Sequence, residues 1–129
     1  MDRFDGAKAG LKFDDGKVDI TFVLEYFPNA LAAVSTVAEY GAKKYTRGGW
    51  NTVPNGIERY TAAMDRHHLA EFRDGPYDDG DSGLAHAAQV AWNALARLEK
   101  MLVGGMIEDR VGNDLVEGKA VLGTAHKRA

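Results

Sequence analysis

The sequence contains no cysteine, which excludes disulfides and thiolate metal sites outright. It has no basic excess either. Sixteen Lys and Arg against nineteen Asp and Glu leave a formal net charge of -3, with a pI near 5.8. That balance argues against a nucleic-acid polymer as partner, because such a surface is normally strongly basic. No apolar run approaches the roughly 20 residues a membrane span needs, so no membrane partner is expected. Met1 to Gly6 lacks the basic-then-apolar layout of a secretory signal, and the expected location is therefore the cytoplasm. A Walker-type GxxxxGK[ST], a dinucleotide fingerprint and a His-Glu-x-x-His pair are all missing. Ser82 lacks the G-x-S-x-G setting of a serine nucleophile. There is no internal repeat and no low-complexity tract.

What remains is a chain of 129 residues, 45% hydrophobic and 27% charged, the profile of a soluble single domain. The expected organisation is one domain over 1–129, with an N-terminal arm (1–25), a helical core (26–103) and a C-terminal arm (104–129). A domain of this size buries a real core, yet a symmetric oligomer would add stability. In the arm, Asp15-Gly16 predicts a tight turn. Val18, Ile20 and Phe22 alternate with Asp19 and Thr21, which predicts a short extended segment.

Three main helices are predicted, giving an all-α bundle. The first begins near Pro28 and runs to about Tyr45, with Leu31, Val34, Val37 and Ala38 as its apolar stripe. Gly41 interrupts it, and a close helix contact there would explain a glycine in a helix interior. The second helix follows Asn55, a competent N-cap, and covers roughly 57–73. The third is predicted over 83–103 with Ser82 as N-cap and Val90, Leu95, Leu98 and Leu102 as core. From Met106 to Leu115 a short helix or irregular arm is expected, and His126 falls in a frayed terminus.

Polar chemistry concentrates between Arg66 and His86, at the junction of the second and third helices. His67 and Glu71 are one helical turn apart and face the same way. Asp79 and Asp81 follow in the loop, and His86 opens the next helix. Such oxygen-rich groups suit Mg²⁺ or Mn²⁺. Equally, Asp78, Asp79 and Asp81 are what a helix N-terminus attracts without any metal. His86, Gln89, Asn93 and Arg97 recur at steps of three, four and four. This polar stripe either faces water, the commoner case, or is buried and hydrogen-bonded, for which a ligand is one route. A third group is Lys43, Lys44, Tyr45, Arg47 and Trp50, which could serve a phosphate and a flat base. Its plainer account is a solvated basic helix end with Trp50 lidding the core.

Several blocks occur in order: Gly10-Leu11-Lys12-Phe13-Asp14-Asp15-Gly16-Lys17, Tyr40-Gly41-Ala42-Lys43-Lys44-Tyr45 with Trp50, Arg66-His67, then Asp79-Gly80-Asp81-Ser82-Gly83-Leu84-Ala85-His86 and Asn93. Together, over roughly 10–103, they resemble the phage-encoded dATP/dGTP diphosphohydrolase N-terminal-domain family, related to the all-α MazG-like nucleotide pyrophosphohydrolases. The resemblance implies a helical bundle working as a homo-oligomer, dimer or higher. It also implies Mg²⁺-dependent (or Mn²⁺-dependent) cleavage of a deoxynucleoside triphosphate to the monophosphate and pyrophosphate. MazG-like enzymes hold metals on E-x-x-E and E-x-x-D carboxylates. Here Glu71-Phe72-Arg73-Asp74 has the second spacing, no E-x-x-E occurs, and Glu39 stands alone on the first helix.

On that resemblance Glu39, Glu71, Asp79 and Asp81 are the expected metal ligands. Arg66, His67 and His86 are the expected catalytic groups. Lys43, Lys44, Tyr45, Trp50 and Asn93 are the expected substrate contacts. A rival of another class is a nucleotide-binding protein without turnover, sequestering a nucleotide-derived signal as an anti-defence sponge. A purely structural module would leave the central polar junction without purpose.

Overall fold

The structure is a computed structural model and describes residues 17–108 and Arg110. The expected Asp15-Gly16 turn, the segment from 111 onward and His126 lie outside the described residues. In chain order the elements are α1 (Thr21–Tyr26), α2 (Pro28–Lys44), a 3₁₀ turn (Gly49–Thr52), α3 (Gly56–Asp74) and α4 (His86–Val103). The fold is all-α with three main helices. Among the described residues the only β-type pairing is an isolated antiparallel bridge between Tyr77 and Ala85.

The extended segment expected around Val18 to Phe22 is instead the entry to α1. The Asp19 carboxylate accepts hydrogen bonds from the Thr21 backbone N–H and hydroxyl, and its carbonyl accepts the Phe22 N–H. Those local bonds close a helical turn, and the Phe22–Tyr26 edge contact at four-residue spacing extends it. Short alternation could not reveal a competing side-chain cap.

α2 begins with Pro28 at its first turn, where the missing N–H costs nothing. Leu31, Val34 and Val37 are half-buried along one seam as the spacing predicts, whereas Ala38 is exposed. The close approach expected at Gly41 is absent, since a Cβ built there meets nothing within 4 Å. Asn55 precedes α3 without a side-chain capping bond; it sits in the left-handed region at φ 56°. Asparagine suits that position because it tolerates the left-handed conformation, not because it caps.

α3 and α4 form an antiparallel hairpin with the largest interface in the fold. Its register runs through Lys100 beside Gly56, Arg97 against Thr61 and His86 against His67. At the open end, Trp50, Tyr60 and Trp92 make mutual edge and tilted contacts with centroids 5.4–6.4 Å apart. The Tyr60 hydroxyl donates to the Trp50 carbonyl. Lys100 Nζ donates to the Asn51 carbonyl at 3.1 Å and lies 5.9 Å from the Trp50 ring.

The α4 core differs from expectation. Leu95 and Leu98 are 51% and 44% exposed, while His86, Gln89 and Asn93 are 4%, 8% and 6% exposed. The stripe expected to face water in the commoner case is therefore the buried face. The physical reason is the pairing itself: α3 packs on the side of α4 that carries the polar stripe and the small Ala88 and Ala96. α4 also starts at His86, three residues later than predicted. Ser82 does not cap it; its Oγ accepts the Leu84 N–H inside the preceding loop.

Candidate functional site

The site grows from the way α3 stops. Gly75 adopts φ 111°, ψ -179°, a region essentially reserved for glycine, and its N–H closes the last turn on the Glu71 carbonyl. Pro76 follows with no N–H, but its carbonyl accepts the His86 N–H at 2.8 Å. The Asp78 N–H bonds the Leu84 carbonyl at 2.9 Å, and the Asp78 carbonyl accepts the Asp81 and Gly83 N–H groups at 3.1 and 2.7 Å. Residues 75–85 thus form a loop closed by backbone hydrogen bonds on Asp78 and joined at Pro76 to the start of α4. Its effect is to fold Asp78 back toward the first turn of α4.

There the His67 and His86 Nδ1 atoms lie 3.0 Å apart, with ring centroids 5.2 Å apart and tilted by 43°. One ligand-type atom from each of His67, Asp78 and His86 lies within 4.8 Å of the others. His86 is buried, and His67 and Asp78 are half-buried. Gln89, one turn into α4, directs its amide Nε2 to Asp78 Oδ2 at 3.3 Å and to Ser82 Oγ at 3.3 Å. Burial holds the His67 imidazole below its ordinary pKa. The Asp78 charge opposes that shift, and His86 and Arg66 reinforce it.

A second layer comes from α2. The Tyr40 hydroxyl donates to Asp81 Oδ1 at 2.8 Å, which ties the helix to the acidic loop. This hydrogen bond is the main reason the Tyr40 phenol is held above its usual pKa, with desolvation and the Asp81 charge adding. Lys44 Nζ lies 5.9 Å from the Tyr40 ring centre and 5.5 Å from that of Tyr45. The neighbouring Tyr45 phenol, then the Asp81 charge, raises the Lys44 pKa. A cation and an exposed aromatic ring therefore stand beside the acidic loop.

The residues singled out from the sequence are placed unevenly. His67, His86, Asp81, Lys44 and Tyr45 gather at the loop end of the bundle. Arg66 is exposed next to His67, and Glu71 is half-buried one turn further along α3. Asp79 is exposed in the loop, and Glu39 and Lys43 are exposed on α2. Asn93 is buried two turns along α4, donating to the Gln89 carbonyl at 2.8 Å. Trp50 packs on Tyr60, seven residues before His67, which is about 10 Å of helical rise away from the histidine pair. Among the described residues, His67, Asp78 and His86 are the one such convergence of three His, Asp or Glu groups. The carboxylates Glu39, Glu71, Asp79 and Asp81 do not make one.

Asp78 was not among the expected ligands. In the sequence it reads as one of three acids before a helix, and only the loop's closure on itself separates it from Asp79 and Asp81. The three-residue step from His86 to Gln89 was the one available signal for the supporting amide.

A short all-α hairpin that converges two imidazoles and a carboxylate, with a lysine and a tyrosine across an acidic loop, makes this a helical scaffold with one polar cluster at its loop end. The chain belongs to the family described as dATP/dGTP diphosphohydrolase, N-terminal, whose model matches residues 7–110. It is also 35% identical over 82 residues to a dATP/dGTP diphosphohydrolase of Salmonella phage PMBT28. That match covers 64% of this chain and 26% of the relative, so the chain spans about a quarter of the relative's length. No solved structure matches. No helix among the described residues is long and apolar enough to cross a membrane.

Proposed function

We propose that this chain takes part in hydrolysing a deoxynucleoside triphosphate of the dATP/dGTP type to the monophosphate and pyrophosphate, in phage nucleotide metabolism and with a divalent ion. The observation that carries this is the gathering of His67, Asp78 and His86 beside Lys44 and Tyr45 at one end of the bundle. Family membership and the activity for which the phage relative is named point the same way.

The overall reaction adds water at the α-phosphorus and breaks the α–β bridging P–O bond, whose electron pair leaves with pyrophosphate. A divalent ion such as Mg²⁺ or Mn²⁺, when bound, would neutralise charge on the phosphates and make the attacking water more acidic. The chain's own groups do the rest. Lys44 and Arg66 supply the cations that stabilise charge developing on the leaving group in this reading. Tyr45, 71% exposed, offers a face on which a base can stack. Asp81, held by Tyr40, fixes α2 and therefore Lys44 over the loop. Glu71 and Asp79 flank this cluster as further acceptors.

Glu39, Lys43 and Trp50 lie outside the cluster, and a homo-oligomer remains part of this reading. The exposed apolar side chains Phe22, Leu24, Tyr26, Phe27, Leu95 and Leu98 support such an assembly.

The test is to incubate the chain with each dNTP and Mg²⁺ or Mn²⁺ and to follow pyrophosphate, monophosphate and bound nucleotide together. Equimolar pyrophosphate and monophosphate from dATP or dGTP is the expected result. Lys44→Ala should then lower turnover on the order of 100-fold. Asp81→Ala should abolish turnover while the protein stays folded. Tight binding with intact nucleotide recovered would replace hydrolysis by sequestration.

A further inference from the structure

The imidazole-rich character of the cluster has a chemical consequence. Two of its three convergent donors are ring nitrogens, and only one is a carboxylate oxygen. Mg²⁺ prefers oxygen donors and gives up its waters reluctantly, whereas imidazole suits Zn²⁺, Ni²⁺, Cu²⁺ and Fe²⁺, and at a given site affinity rises from Mn²⁺ through Co²⁺ to Ni²⁺. The spacing fits as well. Two nitrogens about 2.1 Å from one ion are about 3.0 Å apart at the octahedral angle and about 3.4 Å apart at the tetrahedral one, and the His67 and His86 Nδ1 atoms are 3.0 Å apart, within one ion's reach of both.

We infer that His67, Asp78 and His86 form a site for a divalent transition ion of the Mn²⁺ to Zn²⁺ class, with Gln89 and Ser82 as positioning residues. This deepens the preceding proposal by naming the ligands and the class of ion at the same site, and it is tested by metal binding alone.

A simple N–H···N bond between the two rings also explains their separation. It leaves the rest of the arrangement without a cause. The 75–85 loop spends the Asp78 backbone on three hydrogen bonds and thereby sets its carboxylate against the pair. Gln89, itself 8% exposed, holds the carboxylate by Oδ2. Supporting a ligating carboxylate through a neighbouring donor is how metal sites fix their ligands. Each histidine can carry its proton on Nε2, which frees both Nδ1 lone pairs for one ion. Three protein ligands also leave positions for water or phosphate oxygens.

The experiment titrates the purified chain, without nucleotide, with Co²⁺, Zn²⁺, Mn²⁺ and Mg²⁺ by calorimetry, and records the visible d–d spectrum of Co²⁺. One Co²⁺ or Zn²⁺ per chain is expected, bound at least ten-fold more tightly than Mg²⁺, with a spectrum distinct from the hydrated ion. His67→Gln and Asp78→Asn, both near in shape to the natural residues, should each weaken Co²⁺ binding at least ten-fold. Gln89→Leu should weaken it by about ten- to a hundred-fold. His68→Ala and His126→Ala should leave it unchanged, which separates the site from adventitious histidine binding. Circular dichroism of each metal-free variant checks the fold, and a variant that has unfolded is replaced by the milder Asp78→Glu, also expected to weaken binding.

Mg²⁺ bound as tightly as Co²⁺, or Co²⁺ bound equally by wild type, His67→Gln and Asp78→Asn, overturns the inference. Specific Co²⁺ binding without pyrophosphate release leaves the site standing and overturns hydrolysis. Mg²⁺-supported pyrophosphate release that is unaffected by Asp78→Asn does the reverse.

Discussion

Asn55 shows how one residue's backbone angle differs from its reputation as a cap. At φ 56° it occupies the left-handed region and makes no side-chain capping bond, although its carbonyl accepts the Arg59 N–H. A β-carbon without the short amide is penalised there by about 1 kcal/mol. Asn55→Ala should therefore lower unfolding free energy by about that amount in urea melts, whereas Asn55→Gly should be close to neutral. An Asn55→Ala variant as stable as the wild type would refute this left-handed requirement. Asp78 makes the complementary point within the site. Its identity was plain in the sequence, but its distinction from Asp79 and Asp81 came from three backbone hydrogen bonds and one amide contact.

At the scale of elements, α2 was the most legible. Pro28 at its start, the Leu31–Val34–Val37 seam and the two lysines in its last turn all agree with a helix ending near Tyr45. Gly41 is the weak link, since open space surrounds its missing Cβ. Gly41→Ala should raise stability by about 0.5–1 kcal/mol, read as a higher urea midpoint with an unchanged slope. A loss of stability there would show that this face of α2 is covered in the assembled protein. α4 was less legible because its apolar and polar stripes lie on different faces, and periodicity does not say which face a partner helix will take. The α3 pairing selected the polar face. Gln89, Asn93 and Arg97 then found partners in Asp78, the Gln89 carbonyl and Thr61.

For the whole molecule, the consequence of that pairing is exposed apolar surface. Among the described residues no large side chain is fully buried, while Leu95, Leu98, Phe22 and Phe27 are exposed by two-fifths or more. Leu98 also lines a groove of mixed character with Leu102, Met106, Ile107, Glu108 and Arg110 at the far end of α4 from His86. If a second copy covers this face, light scattering coupled to size exclusion should give a multiple of the 14.0 kDa chain mass. The double variant Leu95→Glu, Leu98→Glu should shift the protein to monomer while the helical circular dichroism signal persists. A monomeric wild type at micromolar concentration would refute the homo-oligomer.

Composition, periodicity and motif order settled from the sequence the all-α class, the three main helices, the bounds of α2 and α3 to within a residue or two, and the family. These depend on local spacing, capping and breakers, which act over a few residues and are written in the chain. The tertiary structure alone decided that the polar stripe of α4 is buried, that Trp50 joins Tyr60 and Trp92 away from the histidines, and that Asp78 converges on His67 and His86. Each of those depends on a pairing between segments distant in the chain or on a loop closing on itself. Such contacts are chosen by the fit of whole surfaces and by backbone hydrogen bonds that no residue spacing encodes.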